Sequence, residues 1–363
     1  MNDSPRDSTR RDFLKLSGLG LLGLLLPGRP LSFFSDPSTS LRTGLQPDSA
    51  HLAGYAFQGR ICTNSLWSRD IPSNEGQRVK LYWRDLIVDI VGTALDDDTD
   101  AYNRVWYETE DGSFLYSGWV QPVRTLLNEP YAGTTYPEEG LLGEISVPFT
   151  DAYQWPDPTS KFKYRLYYET THWVMGSAQA PDGSSWYRLL DDKWNEFYYI
   201  PAKHLRLIPE AEIAPITPDT PGKDKRIEVR LDQQLVLAFE KERPVFAARA
   251  ATGAVLRVGT YTTPTGIFGT FHKRPTRHMA AGDLTASGFD LPGVPWVLYI
   301  TDSGISIHGT YWHNDFGHPR SHGCINLSPS AAKWLFRWTL PGMKPDSQFA
   351  FDRKLGTTVN IVK

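Results

Sequence analysis

Ile227-Glu228-Val229-Arg230-Leu231 alternates apolar and polar side chains at every step, and runs of this kind recur along most of the chain. A period of two puts every second side chain on one face, so such a run buries a face as a strand but not as a helix. Val79-Lys80-Leu81-Tyr82-Trp83, Leu235-Val236-Leu237-Ala238-Phe239 and Val245-Phe246-Ala247-Ala248 are further examples, and more β-structure is predicted at Ile267–His272 and Val297–Thr301. The 17 Phe, 17 Tyr and 12 Trp suit half-buried strands, while 30 Gly and 27 Pro supply the turns between them. The chain is therefore mainly β. One strong helix signal stands apart: Ser328 as a hydroxyl cap, Pro329 in the first turn, Ala332, Leu335, Phe336 and Thr339 on one face, and a stop near Pro341-Gly342.

Length and charge narrow the class. The 363 residues allow two or three domains, and a net charge of -3 with 22% charged residues gives no basic excess for a nucleic acid to recognise. Cys62 and Cys324 are the two cysteines, so a disulfide framework is excluded. Cys62 lies in a β region with no histidine near it in sequence and reads as a structural thiol.

The chain divides at changes of composition. Thr9-Arg10-Arg11-Asp12-Phe13-Leu14-Lys15 precedes an apolar run from Leu16 to Leu26, too short for a membrane-spanning helix and laid out like an export signal. It resembles the twin-arginine signal, which implies export across the cytoplasmic membrane to the periplasm or cell wall. No Ala-x-Ala spacing follows Pro27, so cleavage and retention as a membrane anchor both stay open. Residues 1–34 form this signal or anchor, and the polar stretch 35–55 is a linker. Two aromatic β modules follow, over 56–128 and 140–209. Tyr82-Trp83, Trp106-Tyr107 and Trp119-Val120 match Tyr167-Tyr168, Trp186-Tyr187 and Tyr199-Ile200 at offsets of 85, 80 and 80, a degenerate repeat. These segments resemble SH3-like modules of the bacterial cell-wall type. Prolines and alanines over 210–224 read as a second linker, and a last domain covers 225–363.

The chemistry concentrates in that domain. Ser321-His322-Gly323-Cys324-Ile325-Asn326 sets a thiol beside a glycine, where backbone can approach a carbonyl and aim N–H groups at a developing oxyanion. His308 ends the run Ile305-Ser306-Ile307 and precedes Gly309, so it sits where a strand leaves the sheet. An ordinary thiol is only a few per cent ionised at neutral pH. An imidazole that takes its proton supplies a nucleophile first and an acid for the leaving amine afterwards. Six of the nine histidines, His272, His278, His308, His313, His318 and His322, fall in this part of the chain, but paired zinc-ligand spacings are absent, so neither a metal nor another cofactor is expected.

His308-Gly309, a spacer, and Ser321-His322-Gly323-Cys324-Ile325-Asn326 together resemble the signature of the YkuD-type L,D-transpeptidases, with Thr263-Pro264-Thr265-Gly266-Ile267-Phe268, Trp312 and Ala332-Lys333-Trp334 as supporting matches. The resemblance implies a mainly β catalytic domain with a prominent helix after the cysteine. It implies Cys324 as nucleophile, His308 as base, the Gly309 carbonyl as the group orienting His308, and His322 and Gly323 around the oxyanion. Ser321 and Asn326 hold the loop and, with Trp312, face the substrate. Residues 274–292 are expected to lie over the cleft as a lid. The implied activity concerns cell-wall biogenesis and cell shape. Cys324 forms a thioester with the third residue of a peptidoglycan stem tetrapeptide, releases D-alanine and passes the acyl group to an amine. Hydrolysis of the same thioester, making an L,D-carboxypeptidase, is one alternative, and a non-catalytic wall-binding protein is another. Because the two modules carry no catalytic group, a fragment beginning near residue 220 is expected to keep the thiol chemistry and lose wall binding.

Overall fold

A computed structural model describes residues 56–256, 259–284, 288–344 and 347–363. The signal and the first linker, residues 1–55, lie outside the described residues. The first module contains β1 (Phe57–Ile61), β2 (Ser65–Arg69), β3 (Arg78–Trp83), β4 (Ile87–Leu95), β5 (Val105–Thr109), β6 (Phe114–Tyr116) and β7 (Val120–Val123). The second contains β8 (Leu141–Ile145), β9 (Phe149–Tyr153), β10 (Phe162–Tyr167), β11 (Thr171–Gln179), β12 (Ser185–Asp191), β13 (Glu196–Pro201) and β14 (Leu205–Leu207). The sheets run β3-β2-β6-β5-β4-β1-β7 and β10-β9-β13-β12-β11-β8-β14, the same order strand for strand.

Strand register corrects the repeat as read from aromatic pairs. Leu66 faces Tyr82 and Thr150 faces Leu166, so the counterpart of Tyr82 is Leu166 rather than Tyr167. A slip of one residue would have turned the strand over. Tyr107 faces Leu115 and Tyr187 faces Ile200, so Tyr199-Ile200 matches Phe114-Leu115 and not Trp119-Val120. Trp106-Tyr107 and Trp186-Tyr187 do correspond and are buried in both copies. The turns before β4 and β11 agree in detail. Asp85 and Glu169 both take a left-handed backbone, φ 64° and 63°. Their N–H groups donate to the Ile61 and Ile145 carbonyls, each at 2.9 Å.

The C-terminal region begins with β15 (Lys225–Arg230), β16 (Leu235–Glu240) and β17 (Arg243–Arg249), then a short pair, β18 (Val255–Leu256) and β19 (Gly259–Thr260). It continues through β20 (Gly266–Gly269), β21 (His272–Ala281), β22 (Phe289–Tyr299), β23 (Ser306–Gly309) and β24 (Ile325–Leu327), then the helix α1 (Pro329–Trp338), β25 (Ala350–Phe351) and β26 (Thr358–Val362). Two five-stranded sheets result, β17-β16-β15-β26-β20 and β24-β23-β22-β21-β25. Ser328 Oγ accepts the Ala331 N–H at 3.3 Å and caps α1, as its sequence predicts. Ala331, Ala332, Leu335 and Phe336 bury one side of the helix with Ile227, Val229, Ile307, Ile325 and Val359 from both sheets. Lys225 and Lys273 reach under its C-terminal end. Lys273 Nζ donates to the Phe336 and Thr339 carbonyls, and Lys225 Nζ donates to Trp338 O at 3.1 Å.

One stretch differs from its expected character. The segment expected as a second linker is fastened down: Ile213 and Ile216 pack against the core of the C-terminal region, and Ile216 N donates to Arg337 O at 3.1 Å. Apolar residues between the prolines are what draw it in. The stretch expected as a lid is the far half of the β21–β22 hairpin, which pairs from His272↔Tyr299 to Ala281↔Phe289 with a register shift between Arg277 and Met279.

Candidate active site

Two neighbouring parallel strands bring the site together. In β23 and β24, Ile307 faces Ile325 and His308 faces Asn326. Continuing that register one step back sets Ser306 level with Cys324, and Ser306 Oγ lies 3.7 Å from Cys324 Sγ. Ser306 and His308, two apart on one strand, share a face. His308 is buried, and its Nδ1–H donates to the Gly309 carbonyl at 2.9 Å. That tautomer leaves the Nε2 lone pair free to take a proton. Cys324 is half-buried. Burial pushes its thiol up, but a hydrogen bond with His308, the charge of that imidazole, and the N–H and hydroxyl of Ser306 outweigh it, so the thiol lies below its ordinary value.

The loop before Cys324 is held from several sides. Gly323 has φ 110°, a conformation that a side chain resists. Ser321 Oγ donates to the Cys324 carbonyl and accepts the Gly323 N–H at 3.1 Å. Thr263 Oγ1 donates to Gly323 O at 2.9 Å and accepts the Gly253 N–H at 2.9 Å. Gly309 sits where a Cβ would lie 2.7 Å from Pro295 Cγ and 3.0 Å from Pro329 Cα, so any larger residue would push β23 away from the helix cap.

Trp312 lies against His308, ring centroids 5.8 Å apart. His322 is exposed, with Tyr261 at 4.4 Å and Phe289, at the tip of the β21–β22 hairpin, at 5.9 Å. Partial burial lowers its pKa. The Asn326 amide lies 3.1 Å from His313 Nε2. Burial holds His313 neutral, its pKa pushed down to about 3. Since His313 Nδ1 accepts the Asp315 N–H at 3.2 Å, its proton is on Nε2. The buried Asn326 oxygen, otherwise without a partner, is the amide atom that can accept it.

The histidines grouped by sequence are separated in space. His272 packs among Tyr299, Phe349 and Phe351, and His278 lies between Asp191 and Asp290. His318 meets Asp315 at 3.2 Å. Among the described residues no cluster of three or more His, Cys, Asp or Glu side chains has a metal-binding arrangement.

Sequence reasoning missed the groups that dock the modules against this site. Asp315, fully buried in the loop between His308 and Cys324, accepts from Tyr116 Oη at 2.6 Å and Asn103 Nδ2 at 3.3 Å, both in the first module. It also accepts from Arg320 Nε at 2.6 Å. Burial would raise its carboxyl, but His318, Arg320 and Tyr116 hold it well below the usual carboxylate range. The second module grips the hairpin instead. Asp191 takes His278 at 2.9 Å, Asp192 takes Arg277 at 2.7 Å, and Lys193 Nζ donates to Ala280 O at 2.7 Å. Ser306 was detectable, two residues before His308 on an alternating strand. Asp315, one acid in a polar loop, gave no signal.

Residues 224–361 match the family model of the YkuD L,D-transpeptidase catalytic domain. No curated protein matches the chain. Among solved structures, the catalytic domain of an Enterococcus faecium L,D-transpeptidase is 24% identical over 38% of this chain and 97% of its own, with a TM-score of 0.29. An L,D-transpeptidase from Xylanimonas cellulosilytica is 26% identical over 44% of this chain and 72% of its own, with a TM-score of 0.27. One from Mycobacterium smegmatis is 15% identical over 52% of this chain and 98% of its own, with a TM-score of 0.31. The match spans 50% of a longer Enterococcus faecium L,D-transpeptidase chain. Behind two β modules, the C-terminal part of this chain thus carries a YkuD L,D-transpeptidase catalytic domain over residues 224–361.

Proposed function

We propose that the chain is an exported peptidoglycan L,D-transpeptidase with Cys324 as nucleophile and His308 as its base. The observation carrying this reading is the β23–β24 register, which sets Ser306 and His308 beside Cys324 while Gly309 O occupies His308 Nδ1. Cys324 Sγ attacks the carbonyl of the third residue of a stem tetrapeptide as its proton passes to His308 Nε2. The C–N bond then breaks, and His308 returns the proton to the departing D-alanine amine, leaving a thioester. An acceptor amine attacks that thioester, the C–N bond forms, the C–S bond breaks and the thiol is restored. Water in the amine's place would give an L,D-carboxypeptidase. His322 and Gly323 border the acyl oxygen, while Ser321, Asn326 and Trp312 shape the surrounding wall.

The Arg10-Arg11 segment supplies the export route, and its substrate lies beyond the cytoplasmic membrane. No helix among the described residues is long and apolar enough to cross a membrane. We read the duplicated modules as SH3-like, with exposed Trp83, Trp155 and Trp194 available to the wall. Incubation with a stem tetrapeptide should release D-alanine and leave a tripeptide mass on Cys324, and a carbapenem-type β-lactam should add its own mass there. Adducts on another residue, with Cys324 unmodified, would refute the assignment.

A further inference from the structure

Where the two modules meet the catalytic domain they enclose a cleft of about 550 Å³, within the size range of small-molecule and short-peptide sites. Its module side carries Arg60, Arg84 and Arg165, and its catalytic side carries Asp290 and Trp312. Two of the arginines are committed. Arg60 is buried, binding Asp85 at 2.9 Å and Tyr311 O at 2.6 Å. Arg165 holds Asp151 at 2.7 Å and Asp85 at 3.1 Å. Arg84 differs: it is exposed, and its guanidinium has no hydrogen-bond or ion-pair partner among the described residues. A free guanidinium in a cleft with fixed positive neighbours is suited to a carboxylate. Across the cleft, Asp290 holds His278 Nε2 through Oδ1 at 2.5 Å and keeps 36% of its side chain exposed, which leaves Oδ2 to face a cation.

A ligand matching both walls carries a carboxylate at one end and an ammonium at the other. Cys324 does not line the cleft, so the cleft holds the part of a ligand remote from the reacting carbon. Trp312 belongs to both places, lining the cleft and lying against His308. His308 is the group that must take the proton when an amine attacks the thioester. We propose that this cleft binds the acceptor, an anionic stem peptide with a free side-chain amine, its carboxylate on Arg84 and its amine directed past Asp290 toward the Trp312 wall. This rests on the transpeptidase reading. In the transfer step the amine nitrogen bonds to the acyl carbon, the C–S bond breaks, and the amine proton goes by way of His308 to the leaving sulfur.

The test uses the full chain with a stem tetrapeptide as donor and a stem tripeptide bearing the free amine as acceptor. D-alanine release reports the first half-reaction, and cross-linked product reports the second. Arg84→Glu should raise the acceptor KM at least about tenfold, and Arg84→Lys should recover part of it. Titration of the Cys324→Ser chain with the tripeptide alone, with and without Arg84→Glu, reads binding without turnover and should show the same loss of affinity. An acceptor KM and tripeptide affinity unchanged by Arg84→Glu would overturn the proposal, as would an equal loss in D-alanine release. Absence of D-alanine release from the unmodified chain would refute the transpeptidase reading, while the tripeptide titration would still decide whether the cleft binds such a peptide.

Discussion

Replacing Asp315 with Asn keeps the shape of a fully buried side chain and removes its charge. The carboxylate binds Arg320 and His318 within its own loop, and Tyr116 and Asn103 in the first module. Removing one member of a buried ion pair costs about 3–5 kcal/mol. Arg320 keeps a quarter of its side chain exposed, 25%, and can turn partly to water, which reduces the expected cost to about 2–3 kcal/mol. That loss falls on the loop leading to Cys324, where a displacement of about 1 Å can cost about a hundredfold in rate. The Asp315 carboxyl lies well below its ordinary value, so its stabilisation is present above the unfolded pKa and lost as pH falls through the folded one. The stability gap between the two proteins should therefore stay constant from about pH 5 to 8 and close only in acid. Melting curves across this range, paired with the rate of Cys324 acylation by a β-lactam, form the assay. Tyr116→Phe, which removes one bond to the carboxylate from the module side, should move both readings the same way by a smaller amount. If Asp315→Asn leaves melting and acylation unchanged, the carboxylate does not hold the loop and the reasoning fails.

His308→Ala should raise the pH midpoint for iodoacetamide alkylation of Cys324, because its hydrogen bond and charge both lower that thiol, while His322→Ala should shift it little. A large shift in His322→Ala alone would exchange their roles. Burial, then the charge of Lys225, pushes Lys273 down to about 7. The unfolded chain, with a lysine pKa near 10.4, binds more protons between these values, so stability should rise with pH by about 3 kcal/mol from pH 6 to 9 relative to Lys273→Met. Equal pH slopes in urea titrations of the two proteins would refute this. A fragment starting near residue 220 lacks Tyr116, Asn103 and the Asp191–Lys193 turn, and should acylate at Cys324 more slowly than the full chain. An undiminished rate would restore the view of the modules as separate attachments.

Local chemistry made part of this protein legible. Alternation marked β15, β16 and β17, and the Ser328-Pro329 cap marked α1, because strand period and helix capping are decided by neighbouring residues. The short stretch around Cys324 and the His308-Gly309 pair drew attention for the same reason: their geometry comes from two adjacent strands. Long-range docking was not legible. The bond from Tyr116 to Asp315 joins residues 199 apart, and that from Asp191 to His278 joins residues 87 apart. Neither residue type nor period announces such pairs. The repeat failed differently: aromatic pairs gave approximate offsets, but only strand register separates Leu166 from Tyr167 as the counterpart of Tyr82.

That register also accounts for how two copies of one fold serve one site. Arg60 faces Gln121 across β1 and β7, and Glu144 faces Arg206 across β8 and β14, so the two pairs occupy equivalent positions. In the first copy the arginine bonds its cross-strand neighbour Gln121 and reaches on to Tyr311 O, beside Trp312. In the second, Glu144 holds Arg206, which binds Glu212, and Glu212 binds Lys333 on α1 at 2.7 Å. The same strand edge thus meets the catalytic domain twice, once through a guanidinium on a main-chain carbonyl and once through a chain of ion pairs to the helix. Asp85, at the duplicated left-handed turn, joins the copies by taking Arg60 from its own module and Arg165 from the other. The two copies share a strand order but carry different polar groups at this edge, Arg60 with neutral Gln121 in one and Glu144 with Arg206 in the other, so each makes a contact that the other's side chains would not make. The shared strand order supplies the edge, and the side chains on it decide what each copy holds: Tyr311 O beside Trp312 in the first, the helix through Lys333 in the second.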